Sequence, residues 1–245
     1  AANLSAGLHT VTVTDGAGCI SSASVNISEP APLTVTITPS DPKCNGASNG
    51  SGLAAAFGGV PTYTYAWTGI AGNNALTNPI PAGSYGLIVT DGNGCTVTSS
   101  MTLNDPALMT VSLTSTNVSC FNACNGTAVA TASNAVGIVS YYWTGGASPI
   151  ALQTASGLCA GNYTVLATDQ NSCTANGQII IRQPTQVTAG ITSSGSVTCN
   201  GGTDGFAVVA PGGGTPGYTY SLSGPSGPVT GGTNANNLPA GGYTV

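Results

Sequence analysis

An internal repeat constrains the fold of this chain more than any other feature of its sequence. Two series of cysteines recur at steps of 76 to 79 residues. The first series ends the strings TDGAGC, TDGNGC and TDQNSC, at Cys19, Cys95 and Cys173. The second series consists of Cys44, Cys120 and Cys199. Because two series share one period, we expect tandem copies of a single module of this length.

Prolines at matching positions suggest where one module ends and the next begins. They are Pro30, Pro106 and Pro184. They divide the chain into 1–30, the last part of a repeat; 31–106 and 107–184, two whole repeats; and 185–245, the first part of another. Both ends of the chain then fall inside a repeat, so we expect a fragment of a longer array.

Each whole repeat is predicted to contain about seven short strands separated by Gly, Asn and Pro turns. The alternation of apolar and polar residues favours half-buried strands, and Asp-Gly-Asn-Gly at 91–94 predicts a hairpin turn. We therefore predict an all-β chain of tandem Ig-like β-sandwiches. The predicted core of 31–106 comprises Leu53, Phe57, Tyr65 or Trp67, Leu87, Val89, Val97, Met101 and Leu103. Its counterpart in 107–184 comprises Val129, Trp143, Val165, Ala167, Ile179 and Ile181.

Charge is unusually scarce and excludes several classes of function. Only 4% of the 245 residues are charged, against about 25% in an ordinary soluble domain. The two cations, Lys43 and Arg182, are too few to neutralise a nucleic-acid backbone or to form a polybasic membrane patch. No apolar run approaches the roughly 18–20 residues of a membrane span. We expect no nucleic-acid partner and no membrane insertion in this segment.

A series of short motifs resembles the SprB repeat of large Bacteroidetes surface adhesins, including gliding-motility adhesins. In 31–106 the motifs are Cys44-Asn-Gly, Phe57-Gly-Gly, Tyr63-Thr-Tyr-Ala-Trp67, Pro81-Ala-Gly-Ser-Tyr85 and Asp91-Gly-Asn-Gly-Cys95. The next repeat matches through Cys120, Tyr141-Tyr-Trp143, Cys159-Ala-Gly-Asn-Tyr163 and Asp169-Gln-Asn-Ser-Cys173. The last matches through Cys199-Asn-Gly-Gly, Gly217-Tyr-Thr-Tyr220 and Leu238-Pro-Ala-Gly-Gly-Tyr243. The resemblance covers essentially the whole chain.

The resemblance implies an Ig-like sandwich, a secreted cell-surface location, export by the type IX route, and neither catalytic residues nor a cofactor. Three departures affect packing positions. His9 stands where Tyr85 and Tyr163 stand, and Leu222 replaces tryptophan. Asn134-Ala135-Val136 replaces a Gly-Gly pair.

Few residues are candidates for chemistry. His9 is the only histidine and occupies a packing position, so we do not expect an enzyme. Asp15, Asp91 and Asp169 recur in the hairpin turns, where they either accept turn hydrogen bonds or contribute to a weak calcium site. We favour the turn role, because calcium needs six to eight oxygen ligands.

The aromatic residues have two interpretations. Tyr85, Tyr163 and Tyr243 resemble the tyrosine corner of Ig-like sandwiches, in which the phenol bonds to upstream backbone. Trp67 and Trp143 are expected in the core, and the alternative is a platform on which a glycan stacks.

Eight cysteines in a chain expected to be secreted predict disulfides. Cys124 and Cys159 occur only in 107–184 and are predicted to pair. Pairing the others within repeats gives Cys44–Cys95 and Cys120–Cys173. Pairing between repeats gives Cys19–Cys44, Cys95–Cys120 and Cys173–Cys199. We favour pairing within repeats, because a module whose disulfides are internal can be duplicated or deleted without breaking a bridge.

The predicted function is a structural and adhesive segment of a long secreted surface protein, with neighbouring repeats of the same chain as its partners. One alternative is a subunit of a self-assembling filament, because a surface with so little charge lacks repulsion between copies. Another alternative is a module that binds surface glycans.

Overall fold

The computed structural model describes residues 2–70, 72–146, 150–225 and 227–245. These residues form β-strands and no helix, which confirms the predicted all-β class. The strands are β1 (Gly7–Thr14), β2 (Ile20–Ile27), β3 (Thr34–Ser40), β4 (Gly50–Phe57), β5 (Thr64–Trp67), β6 (Leu76–Ile80), β7 (Gly83–Thr90), β8 (Thr96–Leu103), β9 (Thr110–Thr116), β10 (Gly126–Ser133), β11 (Ser140–Thr144), β12 (Thr154–Leu158), β13 (Gly161–Thr168), β14 (Thr174–Ile181), β15 (Thr188–Gly195), β16 (Gly205–Gly212), β17 (Tyr220–Gly224), β18 (Gly227–Gly231) and β19 (Asn234–Leu238). A helix able to cross a membrane is accordingly not found in the described ranges.

The chain divides into two compact units, Ala1–Leu108 and Met109–Val245. The first unit contains the hairpin β1–β2 and a first six-strand set with sheets β3-β4-β6 and β5-β7-β8. The second unit contains a second six-strand set with sheets β9-β10-β12 and β11-β13-β14. It also contains a C-terminal set with sheets β15-β16-β19 and β17-β18. The recurrence of one antiparallel pattern agrees with tandem Ig-like β-sandwiches, while the limits at the three prolines stay a prediction.

The core of each six-strand set lies between its two sheets, where β3 packs against β8 and β9 packs against β14. Most of the predicted core is buried. In the first set the buried residues are Trp67, Leu87, Val89, Met101 and Leu103, with Tyr65 and Val97 half-buried. In the second set they are Trp143, Val165, Ala167 and Ile181, with Val129 and Ile179 half-buried.

Two predicted core residues are on the surface instead: Leu53 is 51% exposed and Phe57 is 56% exposed. Strand β4 turns its small residues, Gly50, Gly52 and Ala54, toward the core. The space above them is already filled by large side chains. A Cβ atom at Gly50 would lie 2.8 Å from Leu103 Cδ1, and one at Gly52 would overlap the end of the Met101 side chain. The prediction failed because it assigned the inward face to the bulkiest residues.

The turn that follows this small-residue strand needs a left-handed backbone. Gly58 has a φ of 72°, and Asn134 has a φ of 59° at the equivalent place in the second set. Asparagine is among the few residues other than glycine that visit this conformation routinely. Asn134 therefore keeps the left-handed conformation that Gly58 has at this position.

Candidate functional site

Each six-strand set has two ends. We use the name head end for the one at which its first strand begins. In the first set the β7–β8 hairpin turn lies there. Asp91 Oδ1 accepts hydrogen bonds from the backbone N–H groups of Asn93 and Cys95, at 3.0 and 2.8 Å. Asp91 Oδ2 accepts from the Val60 N–H at 2.9 Å. Asp91 thus closes its own turn and also fastens that turn to the segment that follows β4.

The other two aspartates of the series show which of these bonds belong to the hairpin itself. Asp169 Oδ1 accepts from Asn171 and Cys173, and its Oδ2 accepts from Val136, all at 2.9 Å. In the isolated hairpin β1–β2, Asp15 Oδ1 accepts from Ala17 and Cys19 at 2.9 and 2.8 Å. The turn bonds therefore form in all three hairpins, and the bond to Val60 or Val136 requires the rest of the set.

These hydrogen bonds favour the charged form of the carboxylates. The pKa of Asp91 lies below its ordinary value chiefly because the Val60 N–H donates to it, and burial opposes the shift. The pKa of Asp169 is lowered in the same way by the Val136 N–H. Three backbone donors hold each carboxylate, which supports the turn role over the calcium alternative. Within the described ranges, groups of three or more His, Cys, Asp or Glu placed to hold a metal are not found.

The tyrosine positions form the same corner in each set. Tyr85 and Tyr163 are buried, and their hydroxyls donate to the carbonyls of Pro81 and Cys159, at 2.8 and 3.1 Å. The Tyr243 hydroxyl donates to Pro239 O at 2.9 Å. In each case the acceptor lies four residues upstream. His9 Nε2 lies 2.7 Å from Ser5 O, also four residues upstream, and donates in the tautomer that is protonated at Nε2. Histidine therefore replaces tyrosine here without losing the corner bond.

The tryptophans belong to the core. Trp67 is 7% exposed and Trp143 is 1% exposed. Their indole N–H groups donate to backbone carbonyls of Asn74 and Leu152, at 3.0 and 2.9 Å. A stacking platform needs an open ring face, so the two tryptophans do not form one.

The opposite end of each set, where its last strand finishes, is the tail end. In the first set the β3–β4 loop is fastened there by side-chain acceptors. Asn49 Oδ1 accepts from Lys43 N, and Asp105 Oδ1 accepts from Gly46 N, both at 2.8 Å. These bonds bracket Cys44, so the second-series cysteine is held beside the residues that follow β8.

Equivalent bonds hold the corresponding loop of the second set. Asn125 Oδ1 accepts from Ser119 N, and Gln183 Oε1 accepts from Asn122 N, both at 3.0 Å. In the C-terminal set Asp204 Oδ1 accepts from Thr198 N at 3.0 Å. Sequence reasoning missed these loop-fastening residues. For Asn49, Asn125 and Asp204 the signal was a polar residue five positions after each second-series cysteine.

The second set carries a disulfide between Cys124 and Cys159. Cys124 lies in the β9–β10 loop. The carbonyl oxygen of Cys159 accepts the hydrogen bond from the Tyr163 hydroxyl. The bridge therefore ties the tail-end loop directly to the tyrosine corner. The first set has Ser48 and Pro81 at these two positions.

The pairing that we favoured for the other cysteines does not hold. Cys95 and Cys120 are exposed free thiols, so neither Cys44–Cys95 nor Cys120–Cys173 is present. Cys95 precedes β8 at the head end, whereas the Cys44 loop lies at the tail end. Eight residues of strand separate the two ends by about 25 Å, and a disulfide needs Cα atoms within about 7 Å.

The alternative pairing between repeats fails on the same observation. Cys19, Cys95, Cys120 and Cys199 are all free, and each of its three bridges needs at least one of them. Cys44 and Cys173 are disulfide-bonded. The first series of cysteines therefore marks head ends, and the second series marks tail ends.

This architecture defines a protein built of tandem all-β sandwich modules. A family model described as the SprB repeat matches residues 36–72, 112–148 and 191–227. Each match runs from within the first strand of a set to just beyond Trp67, Trp143 or Leu222. The chain therefore carries three SprB repeats.

No curated protein matches the chain. Similar solved structures include a Salmonella alpha-2-macroglobulin that had reacted with methylamine, at 10% identity and a TM-score of 0.22. The match covers 99% of this chain, which spans only 22% of the length of that protein. A second structure, from a study of Dscam isoform specificity, has 10% identity and a TM-score of 0.21, with 95% of this chain and 73% of the other covered.

Proposed function

We propose that this chain is a structural and adhesive segment of a long secreted bacterial surface protein, and that its repeats are spacers in a stalk or fibre. The observation that most supports this role is the recurrence of one self-contained module. The first and second six-strand sets have the same strand order and pairing, and each has its own buried core. A module that completes its own core suits a protein whose length is set by the number of copies.

The chemistry of the surface supports an extracellular location. SprB repeats belong to surface proteins, and the Cys124–Cys159 disulfide fits an oxidising compartment. The scarcity of charge leaves Thr, Ser and Asn to solvate the strands. The only histidine is engaged in a corner bond, and we propose that the segment is not catalytic.

Antibodies raised against the chain test the location directly. We expect them to label intact cells of the source organism, with immunogold particles along surface fibres, and to detect a polypeptide much longer than 245 residues. An antibody against a cytoplasmic protein, applied in parallel, controls for cell integrity. Labelling that requires permeabilised cells would refute the proposal.

Glycan recognition stays a prediction and needs a separate test. Since the tryptophans are buried, it would have to use other side chains. Screening the folded chain on a glycan array, with the heat-unfolded chain as the control, distinguishes a binding module from a passive spacer. Specific binding to one sugar class would favour the binding module.

A further inference from the structure

The free cysteines fall into two classes that lie at opposite ends of a repeat. Cys19 and Cys95 follow hairpin turns at head ends, and Cys120 and Cys199 lie in loops at tail ends. All four are exposed. One cysteine of each class, Cys173 at a head end and Cys44 at a tail end, is disulfide-bonded. Both classes are therefore able to form disulfides, although members of the same repeat cannot reach each other.

The path of the chain within the second unit brings a tail end close to a head end. The loop that carries Cys120 is fixed to the residues after β14, because Val118 N donates to Arg182 O at 3.1 Å. The head-end corner of the C-terminal set begins almost at once, because Gly214 N donates to Thr185 O at 2.8 Å. Arg182 and Thr185 are three residues apart, so about 10 Å is the longest distance between them.

In a complete set the hairpin turn between the last two strands is hydrogen-bonded to this corner. In the first set Gly59 N donates to Ala31 O at 2.7 Å, and the next residue, Val60, donates to Asp91 of the turn at 2.9 Å. A hairpin seated in the same way on the C-terminal set would place its turn cysteine at the joint that Cys120 occupies.

We propose that the tail-end cysteine of one repeat forms a disulfide with the head-end cysteine of the repeat that follows it, so that Cys120 and Cys199 each link their repeat to the next. This linkage differs from both pairings considered from the sequence, and it does not depend on the adhesive role. Where a hairpin completes the C-terminal set, its turn cysteine is the partner of Cys120. Where a further repeat follows, its turn cysteine is the partner of Cys199.

The chemistry needs an oxidant, and a disulfide such as oxidised glutathione supplies it. The Cys120 thiolate attacks one sulfur of this disulfide, forming a mixed disulfide and releasing one reduced glutathione. The head-end thiolate then attacks the Cys120 sulfur and releases the second glutathione. Two protein thiols lose two protons and two electrons, and one glutathione disulfide is reduced.

The hairpin β1–β2 is a suitable head-end partner. Its inward positions match those of β7–β8, but they are uncovered: Val11 and Val13 are 60% and 63% exposed, whereas their counterparts Leu87 and Val89 are 1% and 0% exposed. The end of the chain, Tyr243-Thr244-Val245, occupies the same repeat positions as His9-Thr10-Val11. Residue 245 of one copy therefore joins to Thr12 of a second copy without a break in the repeat.

A fusion of residues 1–245 with a second copy of residues 12–245 tests the proposal. After refolding in oxidised and reduced glutathione, peptide mapping without reduction should find Cys120 linked to Cys19 of the second copy. It should also find Cys199 linked to Cys95 of the second copy. The single chain has four free thiols. The fusion would have eight if neither joint closed. It should have four, because each of the two new joints consumes two thiols.

Matched variants separate this linkage from misfolding. Cys120→Ser in the first copy should free one thiol at Cys19 of the second copy and leave the other joint intact. In the second copy, Val25→Asp on the inward face of β2 should prevent docking and leave eight thiols, whereas Ser22→Asp on the outward face should leave four.

Three results would overturn the linkage. The first is a count of eight free thiols in a fusion whose circular dichroism shows the added strands. The second is a peptide that links Cys19 to Cys199 within the restored repeat. The third is a count of four free thiols in the Val25→Asp variant.

Discussion

The first and second six-strand sets share one scaffold but stabilise its tail end differently. The second set has the Cys124–Cys159 disulfide where the first set has Ser48 and Pro81. Their cores also differ by a compensating pair. Gly52 faces Met101 in the first set, whereas Ala128 and Ile179 stand at those positions in the second. The comparison shows that the strand pattern and corner bonds define the module, while local side chains determine the stability of each copy.

The largest expected effect tests whether the two cores are equivalent. Trp143→Ala removes a side chain that is 1% exposed, and we expect it to lower the free energy of unfolding by about 3–5 kcal/mol. Trp67→Ala should cost a similar amount in the first set. Denaturant unfolding followed by circular dichroism measures both. A neutral Trp143→Ala would contradict the core assignment.

The next effect tests the disulfide as the main difference between the sets. Replacing Cys124 and Cys159 by the residues of the first set, as Cys124→Ser/Cys159→Pro, should lower the stability of the second set by roughly 3–4 kcal/mol, because the 35-residue loop is released in the unfolded chain. In a Trp67→Phe background, Trp143 is the only tryptophan and its fluorescence follows the second set alone.

The reverse exchange serves as the control. Ser48→Cys/Pro81→Cys should form the equivalent bridge in the first set and raise its stability, and Trp67 fluorescence in a Trp143→Phe background reports it. If the new bridge forms without any gain in stability, the disulfide is not what distinguishes the two sets.

A smaller effect concerns the compensating core pair. Gly52→Ala places a methyl group against Met101, and we expect a loss of about 1–3 kcal/mol. Adding Met101→Ile reproduces the pair found in the second set and should recover most of that loss. Gly16→Ala, at a site where a Cβ meets nothing within 4 Å, is the control. Thermal unfolding that shows no recovery in the double variant would mean that the two positions are not coupled.

The smallest effect is a pH dependence. The pKa of Asp91 is lowered in the folded protein, so its carboxylate stabilises the fold above the ordinary aspartate pKa of about 3.9. That contribution is lost as the pH falls through and below this value. The melting temperature of Asp91→Asn should therefore change less between pH 7 and pH 3 than that of the parent chain.

Asp15→Asn is the matched control for this measurement, because Asp15 makes the turn bonds without the bond to a second segment. We expect it to leave the acid dependence of the first set unchanged. An equal effect of both substitutions would show that the turn bonds alone matter.

Much of this architecture was predictable because it repeats. The cysteine steps and the Thr-Asp turn strings predicted the tandem modules, and the tyrosine positions predicted the corner bonds that Tyr85 and Tyr163 form. The inward face of β4 was not predictable from bulk, since Leu53 points outward and Gly52 points inward. That choice depends on Met101, which is far away in sequence and close only in the folded set.

The structure confirms the predicted Cys124–Cys159 bridge. The pairing of the other cysteines was beyond sequence reasoning for a different reason. Pairing within repeats was favoured because such a module remains intact when it is duplicated, but that argument does not say at which end of a strand a residue lies. The Gly46 bond to Asp105 shows that the loop lies at the tail end. That bond joins residues 59 apart in sequence, which local patterns do not reveal.

The placement of the head and tail ends has a mechanical consequence. In each six-strand set the chain arrives at one end of the first strand and leaves from the far end of the last. Tension applied to the set between these two points therefore runs parallel to its strands. Hydrogen bonds between strands are perpendicular to that direction. The force therefore loads many of these hydrogen bonds together in shear, rather than breaking them one after another.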